Sequence, residues 1–448
     1  MKKETSRKKS FVSMPLVHPN AAGIDVGDTI HAVAVPMERD DVQVKTFGSM
    51  TCDLQAIVTW LHHCRIDTVA MESTGIYWKP LFSILIKSGF EVSLVNAKHV
   101  RNVSGRKHDE DDAMWIQKLH SCGLLRSSYL PEGEQESLRT LVRYRKMLTQ
   151  DCNRFILRMQ KAMGMMNIKL HTVIRDITGK TGIAIVEAII KGERDPEKFL
   201  VYVNKNIRAS RETILKSLQG NWLTDQLYLL EDCYCNYQHY KERISACDVA
   251  IEKQLQQYLK ETFPTATVNI NTTSPKRPTK NKPKFNTCSY FKAILGTDVT
   301  AVFGISDISA LEILSETGTD MAKWETSKHF VSWLNLCPNN KISGGKLISS
   351  MLMRKKPNVA SQAFRNAANA VQRSDNWLGD YFRRMKTKGG NKYAMVATAS
   401  KIATIYYKIV LNKVEFNPLD LHIYRQKYRQ AKITYLERKL NELKKEVA

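Results

Sequence analysis

Residues 21–37 read AAGIDVGDTIHAVAVPM, two short apolar runs separated by Gly27, Asp28 and Thr29. Runs of this length, interrupted by a Gly-Asp-Thr turn, predict the two strands of a hairpin. Val42 to Phe47 alternates and predicts a third strand. Beyond it the period changes. An amphipathic helix is expected near 53–64, a short buried strand at 67–72 (DTVAME) and a helix near 76–88. A strand at 91–95 (EVSLV) and a helix from about 110 follow. Three strands and then helix–strand–helix–strand–helix make a mixed α/β domain over residues 21–130, preceded by a basic tail at 1–20.

From 135 to about 170 the chain turns helical and basic, with Leu141, Leu148 and Phe155 at seven-residue spacing. A second long helix is expected at about 224–262. Two long amphipathic helices within 131–263 predict an antiparallel hairpin or a dimerising coiled coil. Residues 264–287 hold four prolines, five Lys or Arg and no acid, which reads as a linker over 264–290. Short helical patterns with Gly-rich breaks then run over 291–420, a mainly α domain. A basic helix is expected at 421–448.

The composition narrows the partners. Of 448 residues, 68 are Lys or Arg and 44 are Asp or Glu, a formal charge of +24. Such an excess, spread along the chain, points to a polyanion, most simply nucleic acid. At 43% hydrophobic and 25% charged residues, disorder throughout, a collagen-like fibre and a disulfide-stapled miniprotein are excluded. The nine cysteines are irregularly placed and read as free thiols. Neither Cys233 with Cys235 nor Cys52, His62, His63 and Cys64 makes a convincing zinc site, since adjacent helical histidines point about 100° apart. The apolar runs are shorter than a membrane span and no signal peptide is indicated, so a cytoplasmic protein with no membrane partner is expected.

Four carboxylates stand out. Asp25 lies in the apolar first strand, where a charge is costly unless it is paired or bound to metal. Glu72 ends another buried strand. Asp109 and Asp112 fall three apart at a helix start, on one face. If the first and fourth strands are neighbours, Asp25 and Glu72 approach each other at the sheet's edge, and the 109–112 helix can complete the cluster. Converging carboxylates repel unless cations join them, and hard oxygen ligands select Mg²⁺ or Mn²⁺. Two such ions would clamp the attacking and leaving oxygens of a phosphodiester. Asp28 and Asp111 read as solvated. Singly, each acid has an ordinary alternative, a strand-end turn for Asp25 and a favourable helix N-terminus for Asp109 and Asp112.

These blocks resemble a known family. GIDVG at 23–27, MESTGIYW at 71–78, GRKHDEDDAMW at 105–115 and WLNLCPNNKISGGK at 333–346 look like those of the DEDD transposases of bacterial insertion sequences. The resemblance covers nearly the whole chain, with the blocks in family order. It implies an RNase H-like (resolvase-like) fold for the first domain and a metal-binding tetrad of Asp25, Glu72, Asp109 and Asp112. It further implies a nucleophilic serine in the second domain, here Ser343, that forms a 5′-phosphoserine intermediate. Its remaining implications are a non-coding guide RNA (bridge RNA) pairing with target and donor DNA, and homodimers that join into a synaptic tetramer.

The surroundings of Ser343 suit that role. Gly344 and Gly345 allow close backbone approach to a phosphate, and Lys346, Arg354, Lys355 and Lys356 follow. Ser349 and Ser350 are the nearby alternatives, and an ordinary Ser-Gly-Gly turn is the plainer reading. Further phosphate contacts are expected from Arg139, Arg143, Lys146, Arg154, Arg158 and Lys161. Tyr381, Arg383, Arg384, Lys386, Lys388 and Lys392 form a second track. Solvated surface charge is the alternative for any one of them. The competing functions are a metal-dependent branched-DNA endonuclease that uses water, and a non-catalytic RNA or DNA scaffold.

Overall fold

The structure is a computed structural model that describes residues 15–73, 75–95, 109–125, 127, 133–264, 281–351 and 358–447. The chain divides into two compact units, Met1–Leu130 and Pro131–Ala448.

The first unit is built on strands β1 (Ala21–Val26), β2 (Ile30–Ala34) and β3 (Val44–Gly48), helix α1 (Thr51–His63) and strand β4 (Thr68–Glu72). Helix α2 (Trp78–Lys87), strand β5 (Glu91–Val95) and helix α3 (Asp109–Ser121) complete it. Asp53 starts α1 by accepting the Met50 N–H at 3.0 Å, which satisfies one of the donors a helix start leaves unpaired. The five strands form one mixed sheet in the order β3-β2-β1-β4-β5, antiparallel at β1–β2 and β2–β3, parallel at β1–β4 and β4–β5. Strand alternation sorts the side chains into two faces. Ala22, Ile24, Val26, Val33, Val69 and Met71 pack with Leu54, Ile57, Leu61, Leu81 and Leu85 of α1 and α2. The opposite face is made of small residues. Ala32 and Ala34 meet Ala113 of α3, and Ala70 meets Ile116.

The second unit opens with α4 (Gly133–Met165) and continues through the short helices α5 (Leu170–Val173), α6 (Lys180–Ile190), α7 (Pro196–Phe199) and α8 (Arg211–Leu218) to α9 (Thr224–Thr262). Helices α4 and α9 run antiparallel. Leu141 lies level with Cys247, Arg145 with Asp248 and Cys152 with Tyr237: Arg145 Nε donates to Asp248 Oδ1 at 2.5 Å, and Phe155 stacks on Tyr240 at 5.5 Å. The heptad stripe read in the sequence is therefore used within the chain. Leu148 is buried, while Leu141 and Phe155 are half-buried against the packed cores. Helices α5 to α8 close a small core over the far end of this hairpin, around Ile185, Ile189, Phe199 and Leu218.

Next come α10 (Thr287–Leu295), α11 (Asp307–Thr317), α12 (Ser327–Trp333), β6 (Asn339–Ser343), β7 (Lys346–Met351), α13 (Val359–Val371), α14 (Trp377–Asn412) and α15 (Leu421–Val447). Their core holds Phe291, Phe330, Phe364 and Tyr406, and takes in Leu138 and Val142 of α4 with Ile251 and Leu255 of α9. The expected linker at 264–290 thus does not separate two compact units. Residues 265–280 lie outside those described, but Phe285 and the residues of α10 are buried in the shared core, because the long hairpin supplies one of its walls. Helix α14 bends at Gly389 and Gly390, the latter at φ +79°, a left-handed conformation that glycine adopts freely. Among the described residues α14 is the one helix apolar and long enough to cross a membrane. Its Ala399, Ile402, Ala403, Tyr406 and Val410 are buried in this core.

Candidate active site

Strand register brings the first two carboxylates together. Strands β1 and β4 are parallel with Ile24 opposite Met71, so Asp25 and Glu72 follow one residue beyond that pair, at the strands' C-terminal ends. Since Gly23 and Ala70 face α3, Asp25 and Glu72, each two residues on, face the same side. Ligand sites of open α/β sheets gather at this carboxyl edge. Asp25 is half-buried and Glu72 is buried.

Helix α3 is laid along this face by Gly23. A Cβ at position 23 would stand 2.2 Å from the Gln117 backbone nitrogen and 2.4 Å from the Ala113 carbonyl oxygen. Contact this close requires glycine. Towards the other end of α3, Gln117 donates through Nε2 to the Ala21 carbonyl (3.3 Å) and to Ser121 Oγ (2.9 Å). The Ser121 carbonyl accepts the Val17 and His18 N–H groups. Helix and strand are therefore antiparallel. One turn of α3 back from Ala113, about 5.4 Å, matches two residues forward along β1 from Gly23, about 6.6 Å. That places the first turn of α3, with Asp109 and Asp112, at the Asp25 end of the strand. Asp112 is half-buried; the side chain of Asp109 lies outside the described residues. Gly23→Ala is expected to push α3 off the sheet, lowering stability by about 3 kcal/mol; the urea midpoint at unchanged slope measures it.

The buried end of α3 is held by a neutral histidine. His120 shares a 2.9 Å hydrogen bond with Thr68 of β4 and stacks on His18 at 5.1 Å. Burial, then the neighbouring His18, pushes its pKa down to about 4, so the ring carries no charge at neutral pH.

Asp25, Glu72 and Asp112 are all hard oxygen donors, the type that suits Mg²⁺ or Mn²⁺. Among the described residues no three His, Cys, Asp or Glu side chains are grouped closely enough to hold an ion.

Ser343 lies in the second unit, as the last residue of β6 in a two-stranded antiparallel hairpin with β7. Gly344 and Gly345 make the two-residue turn with φ of +53° and +75°. Two positive φ values are what a tight hairpin turn demands. Nothing lies within 4 Å of where their Cβ atoms would be. Ser343 is exposed and pairs across the strands with Lys346, so the two side chains share one face. On the other face Ile342 and Leu347 are opposed, and both are exposed, as is Ile348. Ser350 donates to Asn340 Oδ1 at 2.8 Å, and Ser349 is opposite Lys341, so neither occupies the turn. Arg354, Lys355 and Lys356 lie outside the described residues.

The remaining basic residues divide. Glu316 of α11 is buried and takes Arg139 (3.1 Å) and a two-pronged contact from Arg143 (2.7 and 3.0 Å), while buried Glu312 takes Lys146 at 3.0 Å. Three residues read as phosphate contacts thus pin α4 to α11, because buried carboxylates require partners. Arg384 likewise packs inward, its guanidinium 3.8 Å from the Tyr428 ring centre, and Arg383 donates to the Gln372 and Ser374 carbonyls. Arg154 and Arg158 stay exposed, Arg154 beside Asp151 and Arg158 over the Phe155 ring. Glu312 and Glu316 were passed over in the sequence reading. A signal was available in their i, i+4 spacing, which matches the spacing of Arg139 and Arg143.

Residues 22–167 match a family model described as a transposase, DEDD_Tnp_IS110, and residues 297–383 match one described as Transposase IS116/IS110/IS902 family. Asp25, Glu72, Asp109 and Asp112 fall in the first match and Ser343 in the second. No curated protein matches the chain.

Proposed function

Since the chain belongs to the IS110 family of insertion-sequence transposases, enzymes of DNA recombination, we propose that it excises and inserts its element by metal-dependent strand cleavage with Ser343 as nucleophile. The first unit is then an RNase H-like domain, a reading supported by its mixed sheet in the order β3-β2-β1-β4-β5. The observation that carries the proposal is the placement of Asp25 and Glu72 on one face at neighbouring strand ends, with the start of α3 held over them by Gly23.

In this reading Asp25, Glu72, Asp109 and Asp112 hold Mg²⁺ or Mn²⁺, with two ions as the expected number. When bound, such ions stabilise charge on the attacking and leaving oxygens of a phosphodiester. Ser343 Oγ loses its proton and attacks phosphorus. An Oγ–P bond forms, the bond to the 3′ oxygen breaks, and that oxygen leaves as a hydroxyl after taking up a proton. A 3′ hydroxyl from the other DNA reverses the step on the 5′-phosphoserine and frees the serine. The bond energy is conserved, so no nucleotide cofactor is required. Lys346 holds the phosphate oxygens during both steps in this proposal, a role supported by its pairing with Ser343 across the strands.

A non-coding guide RNA pairs with target and donor DNA in this proposal, which leaves the protein to grip backbones. The +24 charge and the exposed Arg154, Arg158 and Lys346 support it. Arg139, Arg143, Lys146, Arg383 and Arg384 are not carried into this role. Homodimers joined into a tetramer complete the reading, bringing the carboxylates of one copy to the serine of another.

Metal removal tests the proposal. Protein co-expressed with its element's flanking DNA, then mixed with donor and target DNA, is expected to cut with Mg²⁺ or Mn²⁺. Cutting should fall to background in EDTA and return on readdition of Mg²⁺. Cleavage undiminished in EDTA would overturn it.

A further inference from the structure

Helix α15 changes character along its length. From 425 to 432 it carries Arg425, Lys427, Arg429 and Lys432 and no acid. Its first turns are fixed to α14, where Tyr424 packs on Trp377 at 5.5 Å and Arg384 reaches the Tyr424 and Tyr428 rings. From Ile433 onward acids join the bases, and Ile433, Leu436, Leu440 and Leu443 recur at spacings of three, four and three. All four are about half exposed, at 47, 51, 53 and 50%. This is the a/d seam of a coiled coil, lacking a partner helix within the described residues.

We infer that the α15 seam pairs antiparallel with α15 of a second copy of this chain. The flanking charges select both the partner and the direction. With Ile433 and Leu440 at a, and Leu436 and Leu443 at d, the e positions are Glu437 and Lys444, and the g positions include Lys432 and Lys439. In an antiparallel pair with Leu440 of each copy packed on Leu443 of the other, residues at e meet residues at e. Glu437 then meets Lys444 twice, with opposite charges. In a parallel pair g meets the next e, so Lys439 faces Lys444 twice, cancelling the two favourable contacts of Lys432 with Glu437. The charges therefore favour the antiparallel direction, in a register that layers Leu440 on Leu443 and leaves Ile433 outside the paired span. Two heptads are a weak dimer in isolation, so the contact works where other contacts of the assembly already hold the copies close.

The test uses the full chain and disulfide trapping. Glu437→Cys/Lys444→Cys protein is equilibrated in a glutathione redox pair and run on a non-reducing gel, beside wild type to account for the native exposed Cys52 and Cys235. A covalent dimer at least about fivefold above wild type and above either single variant is expected, since only the double variant puts a thiol opposite a thiol. Leu440→Asp in the same background should remove it while the circular dichroism spectrum holds. No dimer above wild type, or a dimer that survives Leu440→Asp, would overturn the pairing. So would trapping by Leu440→Cys alone without trapping by the double variant, which indicates a parallel pair.

Discussion

Asp25→Asn is expected to lower DNA cleavage by about 10³-fold or more while the protein stays folded. Asp25 is the next-to-last residue of β1, opposite Ala32 and followed by Val26, and is half-buried. A carboxylate is an expensive choice at such a place, and an amide of the same shape removes the charge without opening a cavity. The thermal midpoint should therefore stay within a few degrees of wild type. Cleavage assays on donor and target DNA with the co-expressed RNA, run beside thermal melts, separate the two effects. If cleavage survives, the carboxylate edge is not the catalytic centre.

Ser343→Ala is expected to be as severe, at about 10³-fold or more, with an even smaller effect on folding. The residue is exposed at a hairpin tip, so losing one hydroxyl there should change stability by less than about 0.5 kcal/mol. The turn depends on Gly344 and Gly345 instead. Ser349→Ala and Ser350→Ala should retain most activity, since those residues lie along β7 away from the turn. Cleavage by Ser343→Ala at the wild-type rate would favour a metal-dependent endonuclease that uses water.

How much of this was legible beforehand differed between the two units. The five strands of the first unit were readable because each is a short run ended by a turn, and β1, β2 and β4, covered on both faces, read as nearly continuous apolar runs. The neighbouring of Asp25 and Glu72 followed from assuming that the first and fourth strands pair, which they do. What spacing could not show was the means by which α3 reaches the sheet. Gly23 reads as an ordinary weak strand residue until its distance to Gln117 is known. The hairpin around Ser343 was read only as a turn, because β6 and β7 are exposed on both faces and carry little alternation to betray them.

Charge was the least legible feature. The spacing of Arg139, Arg143 and Lys146 shows that they share a side of α4 but not what covers that side, and their carboxylate partners come from α11, more than 160 residues away. The linker erred in a similar way. Its proline and lysine content describes the local chain correctly, yet the burial of Phe285 and Phe291 is decided by α4 and α9.

The central claim is that a serine of the second unit becomes covalently joined to DNA under the control of carboxylates of the first. The most direct test is mass spectrometry of the protein after reaction with donor and target DNA, co-expressed RNA and Mg²⁺, followed by nuclease and protease digestion. A nucleotide-bearing peptide with the bond at Ser343, missing from both Ser343→Ala and Asp25→Asn, is the predicted result. Efficient cleavage with no adduct on any peptide would contradict it.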